Sequence, residues 1–243
     1  MNSESKEWFR EWFDTEHYHR LYAHRNEQEA QPFLERLVER LNLPKGSHVL
    51  DLACGRGRHA RILHALGYRV TGLDLSARNI AYCKVQETEG LQFVQGDMRL
   101  LPYQELFDAV LLLFTSFGYF SDVENALVID KVHKSLKPGG WFVLDFFNAH
   151  LLKNLSLQNI TKKLSGHLYQ IHKFLTPTHI CKEILVDNTS RYLEKVRLYY
   201  DLDLRNLLQE RGFSICYEAG DYHLEPYQRN LSPRYIALSQ KQG

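Results

Sequence analysis

The 243-residue sequence predicts an α/β protein built on an open, twisted, mostly parallel sheet. Three observations carry that expectation. Between residues 47 and 147, short apolar runs alternate with amphipathic stretches of helical length, as in strand–helix–strand units with right-handed crossovers. The run at 107–114 is almost wholly apolar, which suits a strand covered on both faces. A glycine bend, Gly55-Arg56-Gly57, joins the first strand to the first core helix, where the backbone must turn tightly.

Taken in order, the chain opens on an aromatic helix pattern. Trp8 and Trp12 are four apart, as are Phe9 and Phe13, so each pair can share a helix face. Tyr18, Leu21 and Tyr22 follow, and residues 32–43 form a second amphipathic stretch that Pro44-Lys45-Gly46 ends. Strands are expected at 48–53, 68–73, 91–95, 107–114 and 141–147, with helices at 57–66, 77–89 and 122–136. Lys137-Pro138-Gly139-Gly140 reads as the turn into the fifth strand. After Asn148 the alternation stops. Three runs at 167–175, 179–188 and 192–200, joined by short turns, read as an antiparallel β insert. A helix at 202–211 and strands at 213–218 and 235–240 complete the reading.

Composition narrows the class. Apolar residues make up 44% and charged residues 24%, which excludes a disordered or fibrous chain. A net charge of +1 argues against a dedicated nucleic-acid binder. No apolar run is long enough to span a bilayer, and the first residues lack a signal-peptide pattern, so no membrane partner and a cytoplasmic location are expected. Cys54, Cys83, Cys181 and Cys216 form no CxxC pair and read as reduced thiols. His167, His172 and His179 fall on separate strand positions, so no metal site is expected.

The chemistry concentrates on three acids. Asp51 lies inside the first strand, Asp74 ends the second, and Asp97 follows the third in Gln95-Gly96-Asp97-Met98. Open α/β sheets bind ligands at the carboxyl ends of their strands, where these acids fall. Gly55-x-Gly57-x-x-Ala60 formally fits a nicotinamide fingerprint, with Asp74 at the spacing of a ribose-binding acid. A carboxylate at Asp51 would repel a diphosphate, however, and suits a ligand with an ammonium group. Asp97 can accept from an adenine amino group with Met98 beside the ring. Both features favour S-adenosylmethionine (SAM) as the cofactor.

These segments resemble the class I SAM-dependent methyltransferases, in a small-molecule-type, methyltransferase domain 25-like subgroup. Leu50-Asp51-Leu52-Ala53-Cys54-Gly55-Arg56-Gly57 is similar to the family's first motif. Val70-Thr71-Gly72-Leu73-Asp74-Leu75-Ser76 resembles its second strand, and Val94-Gln95-Gly96-Asp97-Met98 its adenine-contacting turn. Phe107-Asp108-Ala109-Val110 and Leu136-Lys137-Pro138-Gly139-Gly140-Trp141 match its fourth strand and following turn. The resemblance implies a Rossmann-like, seven-stranded sheet with helices on both faces and a C-terminal antiparallel hairpin. It implies cofactor contacts by Asp51, Ala53, Cys54, Gly55, Gly57, Asp74, Leu75, Asp97, Met98 and Phe114.

Methyl transfer to an O or N atom of a small-molecule acceptor (an S-adenosylmethionine-dependent methyltransferase, EC 2.1.1.-) is the expected activity. It is an in-line displacement that depends chiefly on positioning. Tyr22 and Tyr119 are the candidate catalytic residues, with Tyr18 and His24 as further candidate bases. Base-methylating relatives carry an Asn/Asp-Pro-Pro-aromatic element where this chain reads Phe114-Thr115-Ser116-Phe117-Gly118-Tyr119, so that chemistry is not expected. Lys153, Lys162, Lys163, Lys173 and Lys182 give the insert a basic cast that could favour an anionic acceptor. A SAM-binding sensor without turnover, and a nicotinamide-dependent oxidoreductase, are the alternatives.

One domain is expected over 1–243: a helical cap (1–46), a SAM-binding core (47–148), an antiparallel insert or substrate lid (151–200) and a C-terminal helix with strands (201–243). The aromatic stripe of Trp8, Phe9, Trp12 and Phe13 is too apolar for water. It either seals the substrate side of its own subunit or docks on a neighbour in a homo-oligomer.

Overall fold

The computed structural model describes residues 7–152 and 158–242. Three helices come first: α1 (Trp8–Trp12), α2 (Glu16–Leu21) and α3 (Glu27–Arg40). The core follows as β1 (His48–Leu52), α4 (Arg58–Ala65), β2 (Arg69–Asp74), α5 (Ala77–Lys84), β3 (Leu91–Gln95), β4 (Phe107–Leu112), α6 (Asp122–Ser135) and β5 (Leu136–Phe147). Then come α7 (Ala149–Leu152), β6 (Gln158–Leu164), β7 (His167–Leu175), β8 (His179–Val186) and β9 (Ser190–Arg197). The last elements are α8 (Asp201–Gln209), β10 (Phe213–Ala219) and β11 (Arg234–Lys241).

Seven strands form one sheet in the order β10-β11-β5-β4-β1-β2-β3. It is parallel from β5 to β3, while β11 runs antiparallel to both β5 and β10. This is the expected mostly parallel sheet with its terminal hairpin. Alternate side chains go to opposite faces, as the strand period requires. Val49, Val70, Leu111 and Val143 pack with Phe33 and Leu37 of α3 and Leu63 of α4. Leu50, Val110, Phe142 and Leu144 pack with Val128 and Val132 of α6 and Leu204 of α8. Each such fully buried side chain contributes about 1.5–3 kcal/mol.

The insert is a separate antiparallel sheet, β6-β7-β8-β9. It has four strands where the sequence suggests three. In β6 only Ile160 and Leu164 supply apolar contacts, too sparse a pattern to announce a strand, and the ladder to β7 fixes it instead. Tyr169, Ile171, Ile184 and Val186 of this sheet bury Trp8, Phe9, Trp12 and Leu21. The aromatic stripe is thus sealed within its own subunit, and Trp8, Phe9 and Trp12 are not exposed to a neighbour.

Other boundaries shift for local reasons. Helix α3 starts five residues before Pro32, because the Asn26 side chain accepts from the Glu29 N–H and caps it there. Helix α5 stops at Lys84 rather than 89. Beyond it, the Glu87 carboxylate accepts from the Phe93 N–H of edge strand β3 at 2.6 Å. The Lys137–Gly140 turn is absorbed into β5 as a register shift against β4.

The glycine bend divides its labour. Gly57 caps α4 at φ +74°, and a Cβ there would lie 2.6 Å from Phe93 Cε1 and 3.2 Å from Cys83 Sγ. Gly55, at φ +55°, faces open space. Gly57→Ala should therefore lower stability by about 2–4 kcal/mol through left-handed strain plus overpacking. Gly55→Ala should lose only about 1–2 kcal/mol. Urea unfolding of the two variants checks the contrast.

Candidate active site

Two cavities open at the carboxyl ends of β1, β2, β3 and β4. The inner one, about 190 Å³, is lined by Asp74, Leu75, Ser76, Asn79, Asp97 and Met98 together with Phe9 and Arg10 of the N-terminal helix. The outer one, about 820 Å³, is walled by Tyr22, Arg25, Arg58, Phe114, Glu194 and Val196, among others. Phe13, Tyr18, Ala53, Gly55, Ser116 and Tyr119 border both.

Asp74 ends β2 inside the inner cavity. One carboxylate oxygen accepts from the Gly55 N–H at 2.8 Å, the other from the Ser76 N–H at 2.9 Å. The acid thereby ties the glycine bend to the second strand. Burial raises its pKa, and those N–H groups offset the effect only in part. Asp97 follows β3 and is gripped by Arg99, whose Nη2 lies 2.7 Å from Oδ2. Burial alone would raise this carboxyl, but the hydrogen bonds and charge of Arg99 outweigh it and hold it below the usual range.

Asp51 is placed differently from its two counterparts and lines neither cavity. Its parity puts it on the α3–α4 face of β1 with Val49, fully buried, where Oδ2 accepts from the Ala60 N–H at 3.1 Å. The His59 ring nitrogen stands 3.8 Å from Oδ1. Asp51 thus fixes the first turn of α4 from below. Gly57 also lies outside both cavities, occupied by packing on Phe93. Ala53, Gly55, Asp74, Leu75, Asp97 and Met98 line the inner cavity; Cys54 and Phe114 line the outer one. The Cys54 and Cys83 thiols both lie against the Gly55 carbonyl, at 3.7 and 3.6 Å, and burial pushes both up, Cys83 to about 12.

Strain marks the same place. Ala53 at φ +60°, Phe114 at +55° and Thr115 at +63° are side-chain-bearing residues in the left-handed region. Such conformations cost about 1–3 kcal/mol each and cluster at functional sites. The fully buried Asp145 holds the second pair. Its carboxylate accepts from the Phe114 N–H at 2.7 Å and its carbonyl from the Thr115 N–H at 3.1 Å. Arg234 Nη2 neutralises it at 2.7 Å, and the Tyr222 hydroxyl donates to it at 3.2 Å. The sequence pattern does not single out Asp145, Arg234 or Tyr222, because their convergence spans three distant segments.

Of the tyrosines, Tyr22 sits at the outer wall, where its hydroxyl donates to Glu194 Oε1 at 2.8 Å. Trp12 Nε1 donates to the same oxygen at 2.6 Å, and Lys182 pairs with Glu194 at 3.3 Å and also donates to the Tyr22 hydroxyl. Burial first, then the Glu194 charge, raises Tyr22 well above the ordinary phenol range, so it keeps its proton. Tyr119 donates to the Thr115 carbonyl at 2.7 Å, and burial holds it protonated too. Tyr18 borders both cavities, whereas His24 is exposed. Lys182 turns towards Glu194, Lys173 is half-buried, Lys162 and Lys163 are exposed, and Lys153 lies outside the described residues. His167, His172 and His179 have separate partners in Asp187, Asn159 and Thr178.

Known proteins resemble this chain in sequence and in fold. Residues 49–140 match the methyltransferase domain family. A putative methyltransferase of Bacillus subtilis, YqeM, is 33% identical over 112 residues, covering 44% of this chain and 45% of that protein. The ubiquinone biosynthesis O-methyltransferase of a Bradyrhizobium strain is 29% identical over 175 residues, or 68% of this chain and 67% of its own length. A SAM-dependent methyltransferase structure from Clostridium acetobutylicum superposes with a TM-score of 0.78 at 20% identity, covering 93% of this chain and 96% of that one. The chain spans less than half the length of YqeM. Sheet order and glycine bend are those of the α/β fold shared with these methyltransferase structures. Among the described residues no helix is long and apolar enough to cross a membrane.

Two outcomes are expected. Arg234→Met, which leaves Asp145 buried without its counter-ion, should cost about 3–5 kcal/mol in chemical unfolding. The second concerns pH. Burial, then Arg56, pushes His19 down to about 4, and burial, then Arg69, does the same to His48. Both rings bind a proton more readily in the unfolded chain, so stability is full above about pH 6.5 and falls as pH drops towards 4. Urea unfolding at pH 7.5 and pH 5 measures that loss, and His48→Gln should reduce it.

Proposed function

We propose that this chain transfers a methyl group from SAM to an O or N atom of a small-molecule acceptor. The observation that carries the reading is the half-buried Asp74 carboxylate, anchored to the Gly55 N–H and facing the inner cavity. The residues present suit the cofactor. Gly55 leaves open space where a Cβ would stand, and Asn79 Oδ1 is buried in the inner wall with no partner. Asp74 would hold the ribose hydroxyls, Asp97 the adenine amino group, and Met98 and Leu75 the faces of the ring system. Arg25, which the sequence reading passed over, would hold the methionine carboxylate. It lines the outer cavity against the rings of Phe114 and Tyr22 and has no carboxylate partner among the described residues.

When bound, SAM supplies a methyl group on a positively charged sulfur, open to attack by a lone pair. The chain's own contribution is placement and exclusion of water. Phe13, Tyr18 and Tyr119 separate the two cavities, and the N-terminal helices and the insert sheet cover them. Tyr22 and Tyr119 keep their protons and donate them to Glu194 and the Thr115 carbonyl, so they offer the acceptor only oxygen lone pairs and do not act as resting bases. Glu194 is the carboxylate in the outer wall able to take a proton through Tyr22. The insert acts as a substrate lid over one continuous domain, and the protein works in the cytoplasm.

Calorimetric titration tests this. SAM should bind and NADH should not. Asp74→Asn should weaken SAM by about ten- to a hundredfold, the worth of charge-assisted hydrogen bonds to the ribose. Failure of SAM to bind would remove the proposal.

A further inference from the structure

We infer that the acceptor carries an oxyanion, a carboxylate or phosphate, recognised by the guanidinium groups around Phe114 in the outer cavity. This rests on the methyl-transfer reading above. Four arginines line that cavity: Arg25, Arg56, Arg58 and Arg61. The acids on the same walls, Glu27 and Glu194, are already engaged. Arg61 takes Glu27 at 2.6 Å, and Lys182, Tyr22 and Trp12 take Glu194. Arg56 pairs with Glu16 at 2.7 Å.

Two cations remain poorly matched. Arg25 has no carboxylate partner among the described residues, and its Nε is buried without a hydrogen bond. Arg58 lies 4.1 Å over the Phe114 ring, and its nearest carboxylate is the exposed Glu29 at 3.5 Å. It stays charged, but burial lowers its pKa by more than the Glu29 charge restores. Every buried polar side-chain atom left unmatched among the described residues of this wall is a nitrogen: Arg25 Nε, Arg56 Nε, His19 Nε2 and His59 Nε2. The two arginine nitrogens among them can only donate, so what they lack is an acceptor.

The cofactor cannot supply the balance. Its carboxylate can meet one guanidinium, but its ammonium and sulfonium make it net positive. Loading with SAM, or with its net-neutral product S-adenosylhomocysteine, therefore leaves the excess of positive charge in place for the second occupant. An anionic group on the acceptor satisfies the remaining donors and charge together, while Leu113, Phe114, Tyr119 and Val196 offer it an apolar body of wall.

The test uses the protein loaded with S-adenosylhomocysteine, titrated by calorimetry with benzoate, phenyl phosphate, benzamide and benzylamine. At least one anion should bind no less than tenfold more tightly than benzamide or benzylamine, and the better anion identifies the group. Arg58→Met, which keeps an apolar stem on Phe114, should bring that ratio close to one. The inference is overturned if the anions bind no better than the neutral or cationic probe, or not at all. It is equally overturned if they bind only the empty protein, since the arginines would then serve the methionine carboxylate alone, or if Arg58→Met leaves the ratio unchanged. Failure of S-adenosylhomocysteine itself to bind strikes the methyl-transfer reading and is seen before any probe is added.

Discussion

A carboxylate sealed from water, Asp145, holds the bend after β4 in a conformation its residues would not adopt unaided. Phe114 and Thr115 are both left-handed, and Thr115 is β-branched, which makes that region especially costly. Their two N–H groups point at one residue of the neighbouring strand, and Arg234 from β11 keeps that residue's charge bearable in the interior. The antiparallel hairpin at the far end of the chain thus shapes the cavity through a single ion pair. Without it Phe114 would lose the orientation that lets it stack on His59 and Tyr222 and carry Arg58 above it.

A second knot joins parts that share no sheet. Glu194 of β9 gathers the indole of α1, the hydroxyl that follows α2 and the ammonium of β8. Its charge is matched within reach, so burying it is tolerable. Around it the aromatic side chains of the N-terminal helices pack against the insert. Each part would leave a large apolar face wet on its own, and together they roof the cavities.

Much of this was legible in the sequence because the signals were local. The parallel core follows from runs such as 107–114, and the bend from Gly55 and Gly57. Asp74 and Asp97 stand where strand-end acids should. Asp51 shows the limit of that reading: its place near the bend suggested a ligand contact, yet its parity with Val49 directs it under α4. β6 was hidden because an edge strand needs few apolar residues when its partner supplies the ladder. Arg25, Glu194 and Asp145 gain meaning only when segments far apart in sequence meet, as in the 89 positions between Asp145 and Arg234. No periodicity encodes such a meeting.

The two thiols at the glycine bend bear on self-protection. Under the proposed reading, a chain that holds a strong alkylating agent beside its own backbone risks becoming the victim of that reagent, and sulfur is the softest target it could present. Only the ionised form attacks readily. By sinking Cys54 and Cys83 against a carbonyl oxygen in dry surroundings, the fold leaves both as inert S–H groups at neutral pH.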